Sequence, residues 1–515
     1  MSKPIKLNDY TLLKFLIDNY RDFSFFSQDQ TITPYIKNIF TKTKKRDLEK
    51  DGFKIIFNPS QKRAVDVLDF WERLIIDALK YLKWHDLDEF IFKSGEKRRP
   101  TSYKKKKEAY DKISEGSLGV YNLKEYFKAF IEFERLLYGA EQFYRDHVYH
   151  ILKVWLIGQF IIKNHINDNF LISINEDEEN LAFRNLAKSI KNKGTLYAGE
   201  EDAVWCLIAL THDLGYPLSK VENINTSLKK MMQYYAKTGL EEFSFSFPQQ
   251  NQFINDAILK YISSRIKRDL QEKSKKEFDT HIQAKFYLKF SRSFELFKHG
   301  LISCIVLVKN LIYFLETNFD HNPSTNLGDE EEARQFVIRR EILRAIASHT
   351  CPEIYHIEPN SFSFILLLAD EIQSWGRPTF EDMALGTDKQ YSVTLNEFSK
   401  ERVSFIMKCN KKPGENPISL LGLFKEKAEL FKKILRVAVD TSQRQFIFDF
   451  SIIDELDEKY KFIAMPQVRA KMEINGTEIK HTELQKLVEI HKKNIFDLKK
   501  KTTKYIADYD LKNRS

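Results

Sequence analysis

Thr211-His212-Asp213-Leu214-Gly215-Tyr216-Pro217 is the stretch from which the fold is read. It follows Ala203 to Leu210, an apolar run that predicts a helix buried on most of its surface. A His-Asp pair at the end of such a helix offers an imidazole nitrogen and a carboxylate oxygen to one metal ion. Gly215 and Pro217 then turn the chain away. The same dipeptide occurs at His85-Asp86, among the charged residues from Lys83 to Glu89 and without a glycine turn behind it. That copy is expected to hold no metal.

Other histidines and carboxylates stand in order around the first pair. Upstream lies Tyr144-Arg145-Asp146-His147-Val148-Tyr149-His150-Ile151-Leu152-Lys153-Val154. Downstream come Lys298-His299-Gly300-Leu301-Ile302-Ser303, then Ala347-Ser348-His349-Thr350, then Leu368-Ala369-Asp370-Glu371. Each sits on an apolar segment with helical texture. Phe364 to Leu368 is purely apolar and carries Asp370 inward, where a carboxylate without a metal or a cation is costly. His147 and His150 are three apart and so share a helical face, which Val154 continues. If the helix persists, Arg377 lies on the face of Asp370.

This order of His, His-Asp, His, His and Asp resembles the HD-domain metal-dependent phosphohydrolases, over roughly Phe130 to Pro378. The resemblance implies a mainly helical HD-type bundle. It implies His150, His212, Asp213 and Asp370 as metal ligands, His150 being chosen over His147 by the valine four residues on. It implies His299 and His349 as catalytic groups or ligands of a second ion. His212 to Pro217 is similar to the His-Asp-Ile-Gly-His-Pro run of deoxynucleoside triphosphate triphosphohydrolases, with Tyr216 where that run has a histidine. His147 stands where those enzymes carry a phosphate-binding arginine; Arg145, or His147 itself, then takes that part. The spacing from His299 to Ser303 also resembles those enzymes, whose histidine helps protonate the leaving group. Tyr216, Lys220 and Arg377 complete the expected substrate-binding set.

Two imidazoles and two carboxylates are a mixed hard and borderline donor set, suited to Mn, Fe, Co, Ni or Mg, as one ion or two, and unlike a thiolate zinc site. The reaction expected is hydrolysis of a phosphoester or phosphoanhydride, in first place by a (deoxy)nucleoside triphosphate triphosphohydrolase. Nucleotide depletion in antiviral defence is one use of such enzymes. A phosphodiesterase or nuclease acting on cyclic or oligonucleotides is the alternative. A nucleotide-binding sensor with weak turnover or none is the third reading.

At 515 residues the chain exceeds one ordinary core, so two or three lobes are expected. Residues 1–125 read as a helical N-terminal region, with one apolar stripe over Tyr10 to Tyr20 and another over Leu68 to Leu79. Residues 126–384 read as the HD domain, opened by one helix from about Lys124 to Lys163. Two insertions, at about 164–202 and 220–290, are polar, and the second is expected to be helical. They suit a substrate pocket or a homo-oligomer contact. Residues 385–515 read as a smaller α+β lobe: strands over Tyr391 to Phe398, Val403 to Cys409, Gln445 to Ile453 and Lys461 to Glu473, a turn at Asn475-Gly476, and helices over Leu420 to Val437 and His481 to Thr503.

The net charge of +9 is small against 82 basic and 73 acidic residues. It favours anionic ligands such as a nucleotide over a dedicated nucleic-acid binder. Lys97 to Lys107 reads as a solvated loop broken at Pro100, with guidance of phosphates or nucleic acid as the second reading. Four cysteines without paired spacing, no apolar leader after Met1 and no bilayer-length apolar run together give a cytoplasmic expectation, with no membrane partner.

Overall fold

In the computed structural model the two helices that carry the first ligands run through the middle of a helical unit. The structure describes residues 4–23, 25, 32–57, 66–82, 118–137, 147–165, 200–221, 249–268, 278–311, 314, 324–326, 330–351, 353–354, 361–373, 375, 391–399, 402–409, 420–434, 447–454, 457–465 and 470–490. The His85-Asp86 pair, the Lys97–Lys107 run, Arg145 and Arg377 lie outside them.

Among the described residues the chain forms two compact units, one of residues 6–389 with 434–436, the other of 1–5, 390–433 and 437–515. The first is helical: α1 (Asp9–Asn19), α2 (Ile32–Lys42), α3 (Lys45–Ile56), α4 (Val67–Tyr81), α5 (Leu118–Leu137), α6 (His147–His165), α7 (Glu200–Thr211), α8 (Gln249–Ser263), α9 (Ala284–Glu295), α10 (His299–Asn310), α11 (Glu330–Ser348) and α12 (Phe362–Ile372). Among the described residues no helix is long and apolar enough to cross a membrane.

α6 and α7 are apolar nearly all round because they are buried nearly all round, with Leu152, Val154, Trp155 and Ile157 on one and Ala203 to Leu210 on the other inaccessible to solvent. Gly158 lets them meet: a Cβ there would sit 1.9 Å from the Trp205 ring, whose indole N–H donates to the Trp155 carbonyl at 2.8 Å. At the far end of α7 the Leu210 carbonyl, left over by the helix terminus, accepts from the Trp71 indole of α4 at 3.0 Å. The N-terminal helices therefore pack on the central pair within one unit.

The helix expected from Lys124 to Lys163 is two helices, α5 and α6. The reason lies in Glu134: its carboxylate accepts from the backbone N–H of His147, a donor that a helix start leaves free. His147 therefore opens a helix of its own. The second insertion also differs from expectation. Between α8 and α9 runs an antiparallel pair, β2 (Ser264–Arg268) and β3 (Phe278–Ile282), with β4 (Ser324–Asn326) added on β3. Alternation puts Ile266 and Thr280 inside, a pattern too short and too polar to read from sequence.

α11 buries three charged side chains side by side. Arg340 and Arg344 both bond Glu341 Oε1, and their remaining donors reach the carbonyls of Ile262 and Ser264, where α8 gives way to β2. Arg334 pairs with Glu200 at the start of α7 at 2.7 Å.

The second unit is a seven-stranded mixed sheet, with β1 (Ile5–Leu7) followed in order by β5 (Tyr391–Phe398), β6 (Arg402–Cys409), β7 (Ile447–Ile453), β8 (Lys459–Ala464), β9 (Lys471–Ile474) and β10 (Thr477–Glu478). β6 and β7 are parallel, and α13 (Leu421–Ile434) lies between them in sequence. Phe424 and Phe431 of α13 pack on Phe448 and Phe450. Asn475 and Gly476, both with positive φ, make the two-residue turn between β9 and β10. Residues 481–490 are helical.

Candidate metal centre

Five helices, α6, α7, α10, α11 and α12, bring six of the expected residues to one place. His150 is on the first turn of α6, and His212-Asp213 follow the last residue of α7. His299 opens α10, His349 follows the end of α11, and Asp370 lies near the end of α12. Asp213 is the hub. Its Oδ2 is 3.3 Å from His212 Nε2 and 3.6 Å from His150 Nε2, and its Oδ1 is 3.3 Å from His299 Nε2 and 3.8 Å from His349 Nε2. Asp370 Oδ1 lies 2.9 Å from His150 Nε2. Ligand atoms of His212, His349 and Asp370 fall within 4.8 Å of one another.

Local sequence explains the convergence. Gly215 lets the turn after Asp213 press on the start of α10, since a Cβ there would lie 2.4 Å from the His299 carbonyl. Ser303 locks that contact: its hydroxyl accepts from Gly215 N–H at 2.7 Å and is 2.6 Å from the His212 carbonyl. Tyr126 of α5 donates to the Leu214 carbonyl at 2.6 Å, and burial raises the pKa of this phenol. Gly300 does for α10 and α11 what Gly215 does for the turn, with a Cβ there 2.5 Å from the Ile346 carbonyl.

The rings are aimed. His212 Nδ1 faces the Ala209 carbonyl and His349 Nδ1 the Ile346 carbonyl, so each carries its proton there and turns Nε2 toward Asp213. Both Nε2 atoms are buried and have no hydrogen-bond partner. His150 Nδ1 faces Gln373 Oε1, and the Gln373 amide donates to the Trp375 carbonyl at 2.8 Å. Since a carbonyl can only accept, the NH₂ end of Gln373 must face Trp375. The oxygen end then accepts from Nδ1–H and leaves the Nε2 lone pair toward Asp370.

Buried lone pairs facing carboxylates call for a cation. With metal–ligand bonds of about 2.0–2.2 Å, two ligand atoms at a right angle stand roughly 3 Å apart. Asp213 Oδ2 to His212 and His150, at 3.3 and 3.6 Å, and Asp370 Oδ1 to His150, at 2.9 Å, are near that spacing, so these residues could hold a divalent metal.

Charges within the cluster are mutually adjusted. Burial opposes the charged form of His212, but the Asp213 carboxylate, with Asp370 beyond it, outweighs burial and raises the pKa. Burial likewise opposes the Asp213 carboxylate, and the His212 charge overrides it, so its pKa falls well below the usual range. For Asp370, burial is overcome by the bond and charge of His150, again lowering the pKa. His299 goes the other way: burial outweighs Asp213 and lowers its pKa.

His150, His212 and His349 side chains are 0% exposed, whereas His299 is 28% and Asp370 25% exposed. Among these residues His299 and Asp370 are therefore the ones open to solvent. Of the expected substrate-binding residues, His147 lies against Tyr216 with ring centroids 3.7 Å apart and planes tilted by 32°, and Glu134 holds the His147 Nδ1 at 2.8 Å. The Lys220 ammonium lies 5.0 Å from the centroid of the Tyr216 ring. Gln373, Ser303 and Glu134 are the residues sequence reading missed.

Comparison of the chain with protein-family models, with curated proteins and with solved structures finds no match.

Proposed function

We propose that this protein is a metal-dependent phosphohydrolase acting on nucleotides, in first place a (deoxy)nucleoside triphosphate triphosphohydrolase. The carrying observation is the pair of buried, unpartnered Nε2 atoms of His212 and His349, turned with Asp213 and Asp370 toward one space. Among chemistries that use such a donor set, phosphoryl hydrolysis is the one that the order of motifs in the chain supports.

When bound, a divalent cation supplies positive charge against the charge growing on phosphorus and acidifies water. His150, His212, Asp213 and Asp370 would hold it. Asp213 orients His299, which sits at the exposed rim where it can exchange a proton with the leaving oxygen. Lys220, beside Tyr216, brings a positive charge near the phosphates.

One observation favours a second reading. Asp213 gives one oxygen to His150 and His212 and the other to His299 and His349, as a carboxylate shared by two ions does. That arrangement suits a two-metal phosphodiesterase.

Incubation with dNTPs, NTPs and cyclic nucleotides plus Mn²⁺ or Mg²⁺, with products resolved by chromatography, tests both readings. Inorganic triphosphate supports the first and linear nucleotide from a cyclic substrate the second; no product from any compound overturns both. His299→Ala should lower turnover about 10²–10⁴-fold. An ion count unchanged in that variant supports proton transfer, and a fall from two to one supports the two-metal site. Wild-type turnover makes His299 structural.

A further inference from the structure

Asp9 is among the buried carboxylates to which the metal-centre reading gives no part. Asp9, in the first turn of α1, is 1% exposed and lies in the interior of the helical unit. Three groups from three elements point at it. The Trp375 indole N–H donates to Oδ1 at 2.9 Å, the Lys153 ammonium of α6 is 3.0 Å from the same oxygen, and the Phe53 N–H of α3 reaches Oδ2 at 3.3 Å. α3 is interrupted at Asp51, whose φ and ψ are not helical, and the Phe53 N–H goes to Asp9.

These contacts close a ring. His150 bonds Gln373, Gln373 bonds the Trp375 carbonyl, Trp375 bonds Asp9, and Asp9 pairs with Lys153. Lys153 is three residues from His150 and on the same face of α6. Gln373 caps the end of α12, the helix that carries Asp370. Holding Trp375 therefore fixes both the tautomer of His150 and its spacing from Asp370.

The geometry points to Asp9 as a positioning residue of the metal centre, acting on His150 through Trp375 and Gln373 although 366 residues separate Asp9 from Trp375. It touches neither metal nor substrate. Partners behind a ligand of this kind fix its ring and raise its basicity, and losing one costs about 10–100-fold in metal affinity or activity. The inference rests on the metal-centre reading.

The test is calorimetric titration of the full chain with Mn²⁺ alone, with thermal melting alongside. Trp375→Phe keeps an aromatic side chain and the Asp9–Lys153 pair, and removes the indole N–H together with the volume of the second ring. It should weaken Mn²⁺ binding about 10–100-fold. Trp205→Phe removes another buried indole and its bond, which ends on the α6 backbone at Trp155 and not on the Gln373–Trp375–Asp9 chain. It should melt lower by a similar amount and bind Mn²⁺ as the wild type does. Equal affinity in Trp375→Phe and wild type, or equal losses in the two variants, overturns the role of Asp9. If Trp375→Phe does not fold, the double variant Asp9→Asn, Lys153→Met removes the ion pair without burying a lone charge. It carries the same expectation, and wild-type affinity in it overturns the proposal. A wild-type chain that takes up no Mn²⁺ overturns the metal-centre reading itself, a different result from either.

Discussion

Two of the neighbourhoods in which the helical unit buries charge are completed in opposite ways. On α11, Arg340 and Arg344 share one oxygen of Glu341, and their other N–H groups end on the carbonyls of Ile262 and Ser264. Its donors and acceptors meet one another, and the cluster ties α11 to the end of α8. Around Asp213 the accounting fails. His212 and His349 each give their N–H to a carbonyl of their own helix and then present a bare nitrogen, and Asp213 and Asp370 present more acceptors. A buried group without a partner costs on the order of 1–3 kcal/mol, so neutral imidazole nitrogens facing carboxylates call for a proton or a cation to complete them. The first neighbourhood is complete within the chain, and the second could hold a metal ion.

Asp213→Asn gives the largest effect expected from this contrast. Metal uptake and turnover should both be abolished, while the melting temperature without metal stays near that of the wild type, because the variant removes a buried charge and no packing. Metal analysis after dialysis checks it. A full complement of ion in the variant would show that Asp213 is not the hub.

Glu341→Gln should do the reverse. It strands two buried guanidinium groups, and breaking a buried pair in this way costs about 3–5 kcal/mol. Denaturant unfolding should register that loss while the folded fraction keeps its Mn²⁺ affinity. An unchanged unfolding midpoint, or a lost metal, would erase the distinction between the two neighbourhoods.

What could be read from the chain follows the same division. Ala203 to Leu210 and Phe364 to Leu368 are apolar on every face, so burial could be read directly, and with it the delivery of His212, Asp213 and Asp370 to the interior. The alternation of Tyr391–Phe398 and the Asn475-Gly476 turn carried part of the second unit in the same way, but the single strand expected over Lys461 to Glu473 is two antiparallel strands, β8 and β9, and β1 was not foreseen. The break between α5 and α6 was not legible, because the group that starts α6 is a glutamate thirteen residues earlier. β2 and β3 stayed hidden because their pairing is made of polar residues at short range. Gln373 and Asp9 were hidden for another reason: a partner behind a ligand is selected by position in space, and neither residue type announces such a part.

The smallest effect concerns protons. In the metal-free cluster His212 has a pKa raised above its ordinary value, because Asp213 and Asp370 outweigh the effect of burial. A metal ion needs its Nε2 deprotonated, so below that pKa uptake must displace a proton. Asp213 and Asp370 do not compete, since their depressed pKa values keep them ionised throughout the neutral range. His299, its pKa lowered by burial, is neutral there as well. Affinity for Mn²⁺ should therefore fall on acidification, by up to about tenfold per pH unit for the one proton of His212. Because the pKa is raised, the fall should begin above about pH 6.5, the ordinary value for histidine. Titrations in buffers of different ionisation enthalpy should show proton release that grows as pH drops through this window. The Arg340–Glu341–Arg344 cluster, which needs no ion, should leave Glu341→Gln with the same proton count as the wild type. Affinity independent of pH from 8 to 6 would mean that His212 is already neutral, and that the carboxylates around it do not act on it as their distances imply.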